Sequence, residues 1–201
     1  MAISQEKYDA IKSSPYSPHA SWTVWQAIEE YEKPKARMGD LSVFKDSPKL
    51  LQTLHTDIVF VALNSADRDI QPKPFSAFHD TSPYAMDYKM RHAFKDTVLW
   101  GAYLTDFFHG LRETDSSKVK VFLATHPDFL HRSIARFNEE MRFIAEDGKK
   151  PTLIALGSQV KELLELYVAS EYHILELPHY SYSVMTKERY RERALELIKQ
   201  L

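Results

Sequence analysis

DIVFVAL, at residues 57–63, is the stretch of sequence that decides the fold class. After Asp57 its residues are apolar without the alternation of a half-exposed strand, and three of them are β-branched. A strand of this kind is buried on both faces, as in the centre of a parallel sheet covered by helices. The polar run NSADRD follows at residues 64–69, so we expect the strand to end there.

The sequence around this strand alternates between strand and helix patterns. Three further strands are predicted at 102–106, 152–156 and 172–177. Helical patterns run over 87–99, from about 116, over 127–146, from 158 and from about 187. Strands separated by helices predict a three-layer α/β/α sandwich with a central four-stranded parallel sheet, its strands in the order 2-1-3-4.

The first 50 residues predict a helical extension of this sheet. Ser21 suits the N-cap of a helix reaching about Glu32, and a second, short helix begins at Ser47-Pro48. The sequence has no internal repeat, no low-complexity tract and no second domain boundary. We therefore expect residues 1–201 to form a single domain.

Composition excludes several classes of function. The 201 residues are 44% hydrophobic, which is ample for a core, and include no cysteine. Disulfides, iron–sulfur clusters, thiolate zinc sites and a cysteine nucleophile are thereby excluded. The formal net charge of −2 is not that of a dedicated nucleic-acid binder, although a local basic rim can still hold phosphates. Neither GxGxxG nor GxxxxGK occurs, so the usual nucleotide-binding loops are absent.

Location and cofactors follow from similar observations. The longest apolar run, 58–63, is too short to span a bilayer, and the start MAISQEKYDA does not resemble a secretory signal. These features predict a cytoplasmic protein that does not insert into a membrane. His79 and Asp80 lack a third metal ligand at suitable spacing, so we expect no metal and no other cofactor.

Ligands of parallel α/β sheets bind at the carboxyl ends of the strands. This rule selects four segments as the predicted site: 64–69, 105–109, 157–158 and 178–183. The α/β pattern by itself predicts where a ligand binds, but it does not predict which ligand or which reaction.

Two of these segments carry motifs. ALNSADRD at 62–69 and LPHYSYSV at 177–184 resemble the two signature motifs of the uracil-DNA glycosylase superfamily, G-[QIM]-[DN]-P and H-P-S-P-L-S. The resemblance covers about residue 57 to the C-terminus. It implies a uracil-DNA glycosylase-like fold and a monofunctional glycosylase, which hydrolyses the N-glycosidic bond of a damaged or deaminated base flipped out of DNA.

The resemblance also assigns roles. It makes Asn64 the residue whose carbonyl oxygen positions the attacking water, and His179 the donor to the departing base. Ser181 matches the family serine that binds a backbone phosphate, and Ser183, at the position of the leucine wedge, is a second candidate phosphate ligand. The alternatives are that Asn64 satisfies backbone groups in a turn and that His179 caps a strand.

Three further residues are candidates for binding the base. Phe78 and Phe75 follow the first motif and can stack on a base, although either can equally seal the core. By the same resemblance, Asp106 falls roughly at the position that reads the base. An ionised carboxylate only accepts hydrogen bonds and would therefore favour an amino-bearing base over uracil. Its alternative role is to cap the following turn.

The chain also departs from the family pattern, with Ala62 in place of the motif glycine and Ser65 in place of its proline. Three hypotheses therefore stay open. The protein is a DNA glycosylase, a binder or hydrolase of a free nucleobase, nucleoside or nucleotide, or an interaction module without catalysis. A group of basic residues, Lys89, Arg91, His92 and Lys95, forms either an ordinary helix surface or a phosphate-facing patch.

Overall fold

A computed structural model describes residues 2–45, 47–65, 73–82, 84–113 and 115–201. The strands are β1 (Ala20–Trp22), β2 (His55–Ser65), β3 (Ala102–Arg112), β4 (Thr152–Leu156) and β5 (Ile174–Leu177). The helices are α1 (Gln5–Ser13), α2 (Pro48–Thr53), α3 (Tyr88–Phe94), α4 (Ser116–Thr125), α5 (Pro127–Ile144), α6 (Ser158–Tyr167) and α7 (Lys187–Ile198), with a 3-10 helix at Leu41–Phe44.

The five strands form one sheet in the order β1-β3-β2-β4-β5. β2 pairs with β3 and β4 in parallel, β4 pairs with β5 in parallel, and β1 lies antiparallel on the β3 edge, with Ala20 opposite Thr105. This confirms a mixed α/β architecture with a mostly parallel sheet. The predicted four-stranded parallel sheet in the order 2-1-3-4 needs correction, because the sheet has this fifth, antiparallel strand.

The helix predicted from Ser21 is wrong. All three residues of β1 are buried, and the Ser21 hydroxyl donates to the Phe75 carbonyl (3.0 Å) instead of capping a helix. The helical spacing of Trp25, Ile28 and Tyr31 does not mark a buried face, because Tyr31 is 87% exposed while Trp25 is buried. The first 50 residues therefore contribute a strand to the sheet and are not a purely helical extension.

The other predicted elements exist, some with different bounds: β3 extends to Arg112, α3 ends at Phe94 and β5 begins at Ile174. β4 has its predicted bounds, and α5 and α7 begin at their predicted residues. Ser47 caps α2 by accepting a hydrogen bond from the Leu50 N–H (3.1 Å), with Pro48 in the first turn, where its missing N–H costs nothing.

Helices pack on both faces of the sheet. On one face Tyr8, Phe137 and Leu164, from α1, α5 and α6, pack in one core with Val59 and Val61. On the other face α3 and α7 bring Met90, Phe94 and Tyr190 into a second core, which includes Phe60, Leu104 and Ile154 from the strands. The central strands are therefore buried on both sides, as the apolar run at 57–63 predicts. None of the helices in the described ranges is long and apolar enough to cross a membrane.

Candidate functional site

The Asn64 amide is fixed by backbone carbonyls where β2 ends. Its Nδ2 donates to the carbonyls of Ser65 (3.0 Å), Leu111 (3.2 Å) and Glu113 (2.7 Å). Because all three partners only accept, the nitrogen must face them and Oδ1 must face away. Asn64 thus ties the end of β2 to the end of β3, the structural role considered above. The same bonds hold Oδ1 in one orientation as an acceptor.

Asp106 is the buried acid of the site. It is 3% exposed and lies within β3, opposite Ala62 of β2. β3 continues to Arg112, so the predicted strand end at 105–109, with Asp106 capping the following turn, is wrong. Burial raises the pKa of its carboxyl to about 6, against the opposing effects of a hydrogen bond from Ser65 and the nearby His109. The Ser65 hydroxyl donates to Oδ2 at 2.7 Å. Ser65, which stands where the family motif has proline, therefore supplies a polar contact between the two strands.

His179, on the loop after β5, is held in one tautomer. Its Nδ1 lies 3.2 Å from the Ser181 N–H and 2.7 Å from Ser181 Oγ. A backbone N–H can only donate, so Nδ1 is the unprotonated nitrogen and the ring carries its proton on Nε2. Burial lowers the pKa of His179 to about 4, which keeps the ring neutral at pH 7. The ring stacks on Tyr180 with centroids 4.4 Å apart.

Gly157, between β4 and α6, lies against this loop. Its φ of +97° lies in a region that other residues rarely adopt, and α6 begins at the next residue. A Cβ added at Gly157 would lie 3.5 Å from the His179 Cβ. The end of β4 and the loop after β5 are therefore in contact at the carboxyl edge of the sheet.

The two candidate stacking residues belong to different cores. Phe75 is 1% exposed and packs against Tyr8, Trp22 and Phe44, so its ring seals the core and is not available for stacking on a base. Phe78 is half-buried against the core on the opposite face of the sheet, where its carbonyl accepts from the Trp25 indole (3.2 Å). Of the two residues, Phe78 is therefore the one that is not fully buried.

The two candidate phosphate ligands also separate. Ser181 is occupied in orienting His179. Ser183 is exposed and lines a surface cavity of about 330 Å³ beside α3 and α7. The loop after β5 thus has two separate roles: Ser181 orients the His179 ring, and Ser183 faces the surface cavity.

The structure brings the two motifs to one edge of the sheet. β4 lies between β2 and β5, so the ends of the outer two strands are about 10 Å apart at the usual strand spacing. Asn64 and Asp106 lie on one side of β4, while His179 lies on the other. Residues 66–69 of the first motif, with 70–72 after them, lie outside the described residues.

A buried polar cluster that was not predicted from the sequence lies between α5 and β3. Glu140 accepts hydrogen bonds from Tyr103 (3.0 Å) and Thr105 (2.9 Å), and its other oxygen lies 3.2 Å from His109 Nε2. Thr105 Oγ1 contacts the same Nε2 at 3.1 Å. A nucleophile–histidine–acid relay needs the hydroxyl and the acid on different ring nitrogens, so this buried cluster is a structural tie.

A signal for this cluster exists in the sequence. Glu140 lies three residues after Phe137 and four before Ile144, on the apolar face of α5. A carboxylate at such a position needs buried partners.

The basic group on α3 is not an ordinary helix surface, because only Lys95 of its four residues is exposed. Lys89 and Arg91 are buried. Arg91 donates to the carbonyls of Gln26, Pro34 and Ala36 and so fixes the loop before the 3-10 helix. In the described part of the chain, no group of three His, Asp or Glu side chains is arranged to hold a metal.

Comparison with known proteins gives no assignment: no protein-family model matches the sequence, and no curated protein is significantly similar to it. The function must therefore be argued from the geometry and chemistry of the site itself.

Proposed function

We propose that the protein is a DNA glycosylase with a uracil-DNA glycosylase-like fold, which hydrolyses the N-glycosidic bond of a flipped, damaged or deaminated base. The observation that carries this proposal is the state of His179. Ser181 holds its Nδ1 as an acceptor, and burial keeps the ring neutral, so Nε2–H is a fixed donor at the carboxyl edge of the sheet.

A neutral donor is what departure of a base anion requires. As the N-glycosidic bond lengthens, negative charge develops on the base, and an oriented N–H stabilises it without transferring its proton. The sugar becomes cation-like, and water must then add to its anomeric carbon. The proton that this water loses neutralises the departed base anion, so the products are the free base and an abasic sugar. Asn64 Oδ1 is an oriented acceptor for that water, since the amide nitrogen is held by backbone carbonyls.

Asp106 indicates the kind of base. Its ionised carboxylate accepts hydrogen bonds, and burial strengthens each bond that it makes. A base that presents an amino group or ring N–H satisfies this acceptor, whereas a carbonyl facing it would be repelled. We therefore propose an amino-bearing base in preference to uracil.

The test is incubation with DNA oligonucleotides that each carry one lesion, scored for abasic sites. The wild-type protein should excise at least one base, and His179→Ala should lower the single-turnover rate by about 100-fold or more. Asn64→Ala should also lower the rate while DNA binding persists. His173→Ala is the matched control, because this exposed histidine lies just before β5, at the other end of the strand. Excision that is equally fast in His179→Ala would refute the assignment.

A second candidate is a protein that binds a free base, nucleoside or nucleotide without duplex DNA, or an interaction module without catalysis. Two observations favour it: the net charge of −2, and an exposed Ser183 where the family has an apolar wedge. Binding to duplex DNA across a salt series separates the two functions. A glycosylase that contacts phosphates should lose affinity steeply with salt, whereas a free-ligand binder should show no duplex binding.

A further inference from the structure

A surface cavity of about 330 Å³ lies between α3 and the start of α7, beside the loop after β5. Its lining includes Tyr88 and Lys89 of α3, Ser183 of the loop, and Lys187 and Glu188 of α7. The volume is at the lower end of the range for small-molecule sites. None of these residues has a part in the chemistry proposed above.

Lys89 is the unusual residue of this cavity. It is 2% exposed, and its ammonium donates to the Tyr182 carbonyl at 2.9 Å. Among the described residues, no carboxylate lies within ion-pair distance of this ammonium. A single carbonyl uses one of its three N–H donors and does not neutralise its charge. A cation removed from water without a counter-charge is unfavourable until an anion joins it.

Other cations add to the positive potential. Lys35 lies over the Tyr88 ring, 5.6 Å from its centroid. Burial first, and then the charge of Lys35, lower the pKa of Lys89. Lys187 is one-third exposed and makes only a long contact of 3.7 Å with Glu188. The lining of the cavity therefore holds two lysines, Lys89 and Lys187, and one carboxylate, that of Glu188.

We propose that this cavity binds the phosphate group of a nucleotide, with Lys89 and Lys187 as its cationic ligands and the Ser183 hydroxyl as a further donor. A phosphate supplies several acceptor oxygens and a negative counter-charge for the Lys89 ammonium. The choice of a nucleotide rests on the proposed function, whereas the anion site itself does not. Free nucleotides and a nucleic-acid strand offer the same phosphate chemistry.

The test is a titration of the isotope-labelled protein, followed by its amide NMR signals, with three separate probes. The probes are inorganic phosphate, thymidine 5′-monophosphate and a short single-stranded oligothymidylate, with thymidine as the phosphate-free control. The signals of Ser183 and Lys187 should shift and saturate with the phosphate-bearing probes but not with thymidine. Tighter binding of the oligonucleotide would identify a strand as the source, and tighter binding of the monophosphate a free nucleotide.

Variants assign the site. Lys89→Met should weaken phosphate binding about tenfold or more, the effect of losing a charge-assisted hydrogen bond, and Lys187→Met by less. Glu188→Gln should strengthen binding, because it removes the negative charge. Lys199→Met, on the exposed far end of the same helix region, should change nothing. If Lys89→Met does not fold, Lys187→Met and Glu188→Gln still test the site through their opposite effects.

Absence of saturable shifts with all phosphate probes, or equal weakening by Lys199→Met, would overturn the proposal. Failure of the glycosylase proposal gives a different result, since phosphate binding would then persist in a protein that excises no base.

Discussion

One backbone N–H, that of Ser181, decides which nitrogen of His179 carries the proton. The sequence places a histidine after β5, yet it cannot reveal this hydrogen bond, because the bond depends on how the loop turns back. The resemblance gives Ser181 to a phosphate, whereas the structure uses it to orient the imidazole. Residue types at the strand ends are thus predictable from sequence, while the hydrogen-bond partners that give each residue its chemistry are not.

At the residue scale, the buried carboxyl of Asp106 leads to a prediction about how stability depends on pH. Its folded-state pKa of about 6 lies above the ordinary value of 3.8, so between these two values the folded protein binds more protons than the unfolded one. The carboxyl therefore costs stability as the pH rises through this window, by up to about 3 kcal/mol above it. Asp106→Asn should be more stable than the wild type at pH 7.5, and the difference should shrink as the pH falls and vanish about one unit below 3.8, the ordinary value.

Urea unfolding of both proteins at several pH values measures this difference. Asp128→Asn, an exposed acid in the first turn of α5, is the control and should show no such gain at pH 7.5. A wild-type protein that is more stable than Asp106→Asn at pH 7.5 would contradict the argument.

At the scale of elements, the apolar pattern of the sequence predicts the strands and helices that bury an apolar surface of their own. β2 and β4 are apolar runs, and α5 has a regular apolar face, so all three are readable from the sequence. β1 is not readable, because it has only three residues and is held by pairing with β3, which is distant in sequence. After β1, Trp25, Ile28 and Tyr31 have the spacing of a helix face, but these residues are not helical.

For α5, the testable prediction concerns the contribution of Glu140 to stability. Glu140→Ala would leave Tyr103 and Thr105 without their buried acceptor and His109 without its carboxylate. Each buried donor that is left without its acceptor costs about 1–3 kcal/mol, so Glu140→Ala should lower the free energy of unfolding by about 3 kcal/mol or more. Glu139→Ala, at the exposed neighbouring position, should change the free energy of unfolding by less than about 0.5 kcal/mol.

Chemical denaturation of the two variants at pH 7 gives both values. Equal stability of Glu140→Ala and Glu139→Ala would mean that the cluster does not hold α5 to the sheet.

At the scale of the whole molecule, the sheet order brings together segments that are more than 100 residues apart. β4 stands between β2 and β5, so the two motif loops share one edge with Gly157 between them. The α/β pattern predicts this edge as the site, since parallel strands all end there. It does not predict the cavity between α3 and α7. From the sequence, Lys89 is expected on the surface, whereas in the structure it is buried and bound to the loop after β5.

The central claim is that His179 presents a neutral Nε2–H donor to a base at this edge. The most direct measurement is ¹⁵N NMR of the imidazole nitrogens at pH 7, before and after addition of free adenine, cytosine or uracil. We expect a neutral ring with its proton on Nε2, and an Nε2 signal that shifts with an amino-bearing base. A cationic ring, a proton on Nδ1, or an Nε2 signal that no base moves would contradict the account.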